Sequence, residues 1–366
     1  MLMKTQEFID VHPDFKLNGK NFEGKKLLSL AHTMLKNGEP YEAEIGRFLS
    51  DWLSKNELIE VKTSGSTGVP KTIKIKKKFM VNSALATGKF FKLPAETTAL
   101  LCLPVSYIAG KMMLVRAIVL GWNLDTIPPK SNPLDQVYKR YDFCAMTPFQ
   151  LDNSLSRLHL IKKLIVGGGA LSCHIANMVQ GIKTKVYETY GMTETVSHIA
   201  AKRINPKKGK KGESAFKVFP NVSISTDERN CLVINAPKIT EGTIITNDIV
   251  ELLTYKKFIW KGRVDNVINS GGIKIHPEEV ERKLQKILLR RFFITSLPDS
   301  ALGEKLVLFV ENEFSEENLD KLKEQLSNLK SLQKYEVPKK IYFVEKFEET
   351  HTGKINRGNT LRGIYQ

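Results

Sequence analysis

Apolar residues recur along this chain with two different spacings, and the places where the spacing changes divide it. Through the first 60 residues the pattern is helical and polar, with Ile45, Phe48, Leu49 and Trp52 on one helical face. From Ile59 onward, short apolar runs alternate with amphipathic stretches. Residues 98–103 read as a strand before a helix over 112–120, and 164–166 as a strand before the turn Gly167-Gly168-Gly169. Strand, glycine turn and helix in succession predict a large layered α/β domain. Residues 216–262 change character, with short strands predicted at 222–225, 232–235, 242–246 and 249–253 and turns between them, a small β-rich antiparallel subdomain. Beyond it lies a small α+β unit. Pro277 suits a first helical turn, with Glu278 and Glu279 near the positive end of the helix. Val280, Leu284, Ile287 and Leu288 form one stripe that runs out at Arg290 and Arg291. A strand over 305–310, a second helix marked by Leu319, Leu322, Leu326 and Leu329, and a strand over 340–344 complete the unit. The change of pattern near Asp265 gives an N-terminal domain over 1–264 and a C-terminal domain over 265–366.

Composition narrows the class. A chain of 366 residues, 42% hydrophobic, buries a large core without disulfides or structural metals. Cys102, Cys144, Cys173 and Cys231 are far apart and form no CxxC pair, which argues against zinc ribbons and disulfide scaffolds and suits a reducing compartment. Residues 1–10 carry acidic side chains and lack the apolar run of a signal peptide. No stretch reaches the roughly 20 apolar residues of a membrane span, because Lys111 and Arg116 interrupt the best one. The expectation is a soluble, cytoplasmic protein with no membrane insertion. The excess of 56 Lys and Arg over 39 Asp and Glu, +17 in all, draws anions: nucleic acid, anionic lipid or phosphorylated small molecules. No aromatic-interleaved basic stripe, zinc finger or RNA-recognition signature accompanies it, so nucleic acid is not the expected partner, and much of the charge reads as solvated surface.

The sharpest local chemistry is Thr63-Ser64-Gly65-Ser66-Thr67-Gly68-Val69-Pro70-Lys71, after the apolar Ile59 and Val61. Glycines and small hydroxyls let a backbone curl around phosphate oxygens, and Lys71 adds charge. The spacing approaches the loop of a P-loop NTPase, but Pro70 stands in the place of its second glycine and has neither the N–H nor the positive φ.

The segment resembles the phosphate loop of the adenylate-forming superfamily, which includes acyl-CoA synthetases, luciferases and peptide-synthetase adenylation domains. Four further segments resemble that superfamily's motifs in order. They are Tyr190-Gly191-Met192-Thr193-Glu194-Thr195, then Thr246-Asn247-Asp248 with Asn where glycine is usual, then Gly262-Arg263-Val264-Asp265 running through Gly271-Gly272 to Glu281, and last Thr352-Gly353-Lys354-Ile355-Asn356-Arg357. The resemblance implies ATP, Mg²⁺ and coenzyme A as ligands. Thr63, Ser64, Gly65, Ser66, Thr67, Gly68 and Lys71 would cradle phosphates, and Gly168, Gly169 and Ala170 would wall the adenine. Glu188 stands where relatives often place an amide. Tyr190, Gly191 and Met192 would line the nucleotide, Thr193 would donate to the α-phosphate, and Glu194 would hold Mg²⁺ through a hard carboxylate. Asp248 would accept both ribose hydroxyls, and Arg263 would meet ribose or phosphate. Lys354 would bridge the attacking carboxylate and the phosphate. The C-terminal domain would swing about Asp265, bringing Gly271 and Gly272 beside the pantetheine of CoA.

Within the superfamily the chain is similar to short o-succinylbenzoate–CoA ligases of menaquinone synthesis, with the N-terminal subdomain shortened because the phosphate loop starts at Thr63. The segment 103–111 with Arg116 resembles the border of their acyl pocket, Tyr107 standing where many relatives have His. Lys111, Arg116 and Lys202, in that order, are candidates for the substrate's second carboxylate, and His198 for the pocket wall. The implied reaction joins a small carboxylic acid to CoA at the expense of ATP. Another aryl or acyl substrate, a carrier protein as acceptor, and a P-loop NTPase are the competing readings. Monomer and homodimer both remain open.

Overall fold

The computed structural model describes residues 11–62, 72–206, 214–288, 290–349 and 355–365. Among them, two short strands, β1 (Lys16–Leu17) and β2 (Lys20–Asn21), precede a helical hairpin of α1 (Gly24–Asn37) and α2 (Pro40–Leu53). Pro40 opens α2, and the Glu39 and Glu42 capping box ties its first turn. Ile45, Phe48, Leu49 and Trp52 are all buried, each contributing about 1.5–3 kcal/mol on the usual area scale. Strands β3 (Leu58–Lys62) and β4 (Thr72–Lys76) pair antiparallel with Lys62 opposite Thr72. Helix α3 (Lys77–Phe91) leads to β5 (Thr98–Leu101), α4 (Ile108–Leu120) and β6 (Asn123–Thr126). Then come β7 (Tyr141–Met146), α5 (Pro148–Asn153), β8 (Ile161–Val166), α6 (Cys173–Met178) and β9 (Lys185–Gly191).

The expected antiparallel part follows as β10 (His198–Arg203), β11 (Phe216–Val218), β12 (Ser223–Thr226), β13 (Cys231–Asn235), β14 (Thr243–Thr254) and β15 (Lys257–Arg263). It is continuous with the parallel part in one thirteen-stranded sheet, ordered β12-β13-β14-β15-β11-β10-β9-β8-β7-β5-β6-β1-β2. The strands predicted at 242–246 and 249–253 are one strand, β14. Its polar centre, Thr246-Asn247-Asp248, looks like a turn in sequence but stays in the ladder, with Asp248 opposite Arg263.

In the parallel part β5 lies between β6 and β7. The chain therefore leaves β5 first to one side and later to the other, a switch point whose carboxyl-end crevice is where open α/β sheets bind ligands. Helix α4 packs beside it with Met112, Met113, Leu114, Val115, Arg116, Ala117 and Ile118 all buried. A helix apolar all round belongs between layers, and its single arginine is carried inside with it.

A second, five-stranded sheet contains β16 (Ile268–Ser270), β17 (Ile273–Ile275), β18 (Phe292–Asp299), β19 (Gly303–Glu311) and β20 (Lys340–Val344), with α7 (Pro277–Leu284), α8 (Glu316–Ser327) and α9 (Arg357–Tyr365). Its core of Ile268, Val280, Leu284, Ile294, Leu308 and Leu322 is separate from that of the large sheet. Helix α7 stops at Leu284, earlier than the predicted stripe, yet Ile287 and Leu288 still pack on this core from the following turn. Strand β18 is absent from the sequence reading because its apolar start, Phe292-Phe293-Ile294, lies directly behind the basic pair Arg290-Arg291. No helix among the described residues is long and apolar enough to cross a membrane.

Candidate active site

Asp248 is 7% exposed, and its carboxylate is held from two sides. The Tyr190 hydroxyl donates to Oδ2 at 2.6 Å, and the Trp260 indole N–H to Oδ1 at 3.0 Å. Arg263 lies 3.9 Å from Oδ1. The ladder explains the meeting. Asp248 pairs with Arg263 and Ile249 with Gly262, but Val250 pairs with Trp260, so Lys261 is the extra residue of a bulge. In an unbroken ladder side chains alternate faces; the bulge resets the alternation and lands the indole on the face of Asp248. Burial, reinforced by the Asp248 charge, raises the Tyr190 hydroxyl well above the ordinary tyrosine range, so it stays a neutral donor.

Glu188, two residues before Tyr190 on β9, faces the loop after β8. Leu171 N–H lies 3.5 Å from its Oε1, and the Lys202 ammonium 3.0 Å from its Oε2. Gly168 and Ala170 are exposed and Gly169 half-buried on that loop, beside Glu188 and on the same strand ends as Tyr190. Lys202 also sits 4.5 Å over the Phe216 ring, so this candidate for a substrate carboxylate already has an acid partner.

The end of the Tyr190 motif is tightly built. A Cβ on Gly191 would come within 2.4 Å of the Ser197 carbonyl, so only glycine lets β9 and β10 approach here. Met192 is half-buried ahead of the short 3-10 turn Thr193–Thr195. Glu194 is exposed, and no described residue pairs with its carboxylate. Val196 then adopts φ 65° and ψ −50°, with Ser197 N–H donating to the Thr195 carbonyl at 2.7 Å. This is a γ-turn of the strained hand, costly for a β-branched residue, with strain of order 1–3 kcal/mol. It delivers Ser197 and His198 to a second polar cluster.

In that cluster Arg116, 2% exposed, donates to Ser197 Oγ at 3.2 Å, and Ser197 Oγ lies 2.7 Å from Ser83 Oγ on α3. His198 Nε2 is 2.9 Å from Thr87 Oγ1. The Thr87 hydroxyl donates to the Ser83 carbonyl at 3.0 Å, which leaves Nε2 as the nitrogen that carries hydrogen. Burial, then the neighbouring Arg116 charge, holds His198 well below the ordinary histidine value, so the ring is neutral. Arg116 has no carboxylate partner among the described residues, and its Nε is buried without any hydrogen bond. Burial alone lowers its pKa to about 9. A cavity of about 160 Å³ opens beside the cluster, lined by Ser83, Ala86, His198, Phe219 and their neighbours. Lys111 goes elsewhere: its ammonium donates to the Val105 carbonyl at 2.8 Å and lies over the Phe48 ring of α2. Tyr107 is half-buried at the N-cap of α4.

Asp265 sits in the one-turn helix Val264–Asn266, bonded to Arg263 at 2.8 Å and to Asn247 at 3.0 Å. Gly271 and Gly272, at φ 59° and 81°, form the two-residue turn between β16 and β17. The phosphate-loop residues Thr63, Ser64, Gly65, Ser66, Thr67, Gly68 and Lys71, and also Lys354, lie outside the described residues. The structure thus brings Tyr190, Asp248 and Arg263 together, with Glu188 two residues before Tyr190 on the same strand, and places Arg116 and His198 in one cluster through Ser197 and Thr87. Sequence reasoning missed Trp260, Ser83, Thr87 and Ser197. The last three appear there as ordinary polar residues of helix and strand, and Trp260 depends on a bulge.

The family model for AMP-binding enzymes matches residues 61–233. Among solved structures the chain is similar to an acyl-CoA synthetase (AMP-forming)/AMP-acid ligase II-like protein from Dyadobacter fermentans. The two are 36% identical, the match covers 92% of this chain and 98% of that one, and the TM-score is 0.61. A likeness of fold extends to the O-succinylbenzoate Coenzyme A Synthetase (MenE) from Bacillus subtilis in complex with ATP and magnesium ion, at 18% identity, with 94% and 83% covered and a TM-score of 0.69. Among curated proteins, a 2-succinylbenzoate–CoA ligase from Enterococcus faecalis is 26% identical over 326 residues, 80% of this chain and 67% of its own length.

Proposed function

The chain belongs to the AMP-binding enzyme family, and we propose that it is an ATP-dependent acid–CoA ligase whose acid carries a second carboxylate, 2-succinylbenzoate being the leading candidate. In the first step a substrate carboxylate oxygen attacks the α-phosphorus of ATP and pyrophosphate leaves, giving the acyl-adenylate. In the second the CoA thiol attacks the acyl carbonyl, losing its proton, and AMP leaves.

The observation that carries this reading is Arg116. A buried guanidinium with no carboxylate partner among the described residues is held at a large desolvation penalty until an anion joins it. It hangs from Ser197, three residues beyond Glu194 and across the strained Val196 turn, so an acid anchored there lies next to the nucleotide side of the site. Of the three basic candidates, Lys202 is paired with Glu188 and Lys111 is bound to a backbone carbonyl, which leaves Arg116 for the second carboxylate. Neutral His198 and Phe219 supply the wall for the ring or chain between the two carboxylates.

On the nucleotide side, Asp248 retains acceptor capacity beyond the bonds from Tyr190 and Trp260, as ribose hydroxyls require. Glu188 beside Gly168, Gly169 and Ala170 offers an acceptor to the adenine amino group. Thr63–Lys71 loop residues and Thr193 would hold phosphates, and Lys354 would stabilise the first transition state. The exposed carboxylate of Glu194 suits Mg²⁺, which would neutralise phosphate charge. The division into 1–264 and 265–366, with rotation about Asp265 bringing Gly271 and Gly272 towards CoA, belongs to the same proposal.

Product analysis with ATP, Mg²⁺, CoA and matched mono- and dicarboxylic acids tests it. AMP, pyrophosphate and a CoA thioester should form with 2-succinylbenzoate and fall sharply with the matched monocarboxylate. Equal turnover of both acids would remove Arg116 from substrate selection, and ADP as product would overturn the reaction class.

A further inference from the structure

We infer that Asn247 is a positioning residue that acts through Asp265, fixing the setting of the second sheet against the first by a hydrogen bond across the joint between them. The inference rests on the reading of Asp265 as the pivot between residues 1–264 and 265–366.

Asn247 lies in the middle of β14, and its amide is oriented by chemistry on both sides. The Oδ1 accepts from Arg229 Nη1 at 3.2 Å, and the Nδ2 donates to Asp265 at 3.0 Å to Oδ1 and 3.3 Å to Oδ2. A guanidinium only donates and a carboxylate only accepts, so the amide has one usable orientation. Arg229 is itself fixed, by Asp227 at 2.8–2.9 Å and by the Thr246 carbonyl at 3.4 Å. Asp227 in turn accepts the backbone N–H groups of Arg229 and Cys231. The donor that reaches Asp265 is therefore rooted in the β12–β13 turn of the large sheet.

Asp265 has a second donor in Arg263, at 2.8 Å. Arg263 is also 3.9 Å from Asp248, so it stands between the pivot and the ribose-side carboxylate. A nucleotide that engages Arg263 weakens its hold on Asp265, whereas the bonds given for Asn247 among the described residues go to Arg229 and Asp265. Hydrogen bonds from Arg263 and Asn247 hold the Asp265 carboxyl below the usual range, so it accepts both as the anion at neutral pH. Beyond the joint, Arg282 of α7 donates to the Trp260 carbonyl at 3.2 Å and Lys261 meets Glu279 at 3.4 Å, so α7 rests on β15 in the setting that Asn247 holds. A rotation that carries the Asp265 side chain with the second sheet breaks the Asn247 bond, because its donor belongs to β14 and its acceptor to the segment leading into β16.

The test uses full-length Asn247→Ala and Asn247→Asp, the second placing a carboxylate against Asp265. Distance distributions between labels at Asp152 and Lys330, exposed positions on the two parts, report the setting directly. ATP–pyrophosphate exchange and thioester formation from prepared acyl-adenylate report the two half-reactions. Both variants should shift or broaden the distance distribution without ligand. The ratio of the two half-reaction rates should change by about threefold to tenfold, the range of one ordinary hydrogen bond, more in Asn247→Asp, with the ATP KM within about twofold. An unchanged distance distribution in both variants overturns the inference. A shifted distribution with an unchanged ratio upholds the hold by Asn247 and instead overturns the reading of Asp265 as the catalytic pivot.

Discussion

Arg116 and Arg357 are both drawn into the protein, and their surroundings differ in one respect that decides what each is for. Arg357, at the start of α9, bonds Glu281 of α7 at 2.9 Å, donates to the Ile294 carbonyl at 3.2 Å and lies 5.7 Å over the Phe293 ring. Glu281 also accepts the Ile294 N–H at 2.8 Å, closing a ring of bonds among α7, β18 and α9. Arg116 is buried more deeply, yet among the described residues it meets the Ser197 hydroxyl and no acid. A charge answered by an acid of the protein fastens elements together; on the proposed reading, the one that meets no acid among the described residues seats the substrate carboxylate.

The largest effect should come from breaking the answered pair. Arg357→Met leaves the largely enclosed Glu281 carboxylate without its partly exposed cation, which should cost about 1–3 kcal/mol of stability, read by denaturant unfolding. Burial, partly opposed by Arg357 and the Ile294 N–H, already pushes Glu281 up to about 7 from 4.5. A carboxyl raised in the folded state binds its proton more tightly there, so its contribution is full below about 4.5 and is lost as pH rises through about 7. Without Arg357 the carboxyl rises further, and the deficit of the variant should therefore be smaller at pH 5 than at pH 8. A deficit independent of pH would remove Glu281 from the account.

Arg116→Met should do the reverse. Stability should hold or improve, because the change removes a buried charge that no described acid satisfies. Activity should drop by about 100-fold in kcat/KM for the dicarboxylic acid, as expected when one partner of an enclosed charge pair is lost, and much less for a monocarboxylate. If Arg116→Met unfolded the protein as readily as Arg357→Met, the contrast between the two arginines would be void.

How much of this was legible in the sequence follows the same physics. The layered α/β part, the small α+β unit and the residues Tyr190, Asp248 and Arg263 could be read, since apolar spacing and short motifs are local properties. The single strand β14 could not, because Thr246-Asn247-Asp248 has turn composition and is kept in the ladder by pairing with β15. Ser83, Thr87 and Ser197 were silent because a polar residue on a core face shows its meaning only once its partners, over 80 residues away in sequence for Arg116 and Ser197, are folded beside it. The bonds of Lys111 and Lys202 were hidden for the same reason: a lysine in a sequence does not display the carbonyl or carboxylate that holds it.

Asp248 lies between the two arginine cases, a buried carboxylate satisfied only in part, and Trp260 is the lever that sharpens the comparison. Trp260→Phe keeps an aromatic ring in place while it removes the N–H that meets Oδ1 together with part of the indole. The carboxylate keeps Tyr190 and the adjacent Arg263, so stability should change by less than about 1 kcal/mol. On the proposed reading, what is lost is the orientation of the acceptor presented to ribose, and that matters equally in the bound ground state and at the transition state. Uniform binding loss raises KM without lowering kcat. The expected result is an ATP KM about fivefold higher with kcat unchanged, a size typical of one hydrogen bond. A fall in kcat at constant KM would mean that the Asp248 contact strengthens as the reaction proceeds, and would move Trp260 from holding the nucleotide to supporting the chemical step.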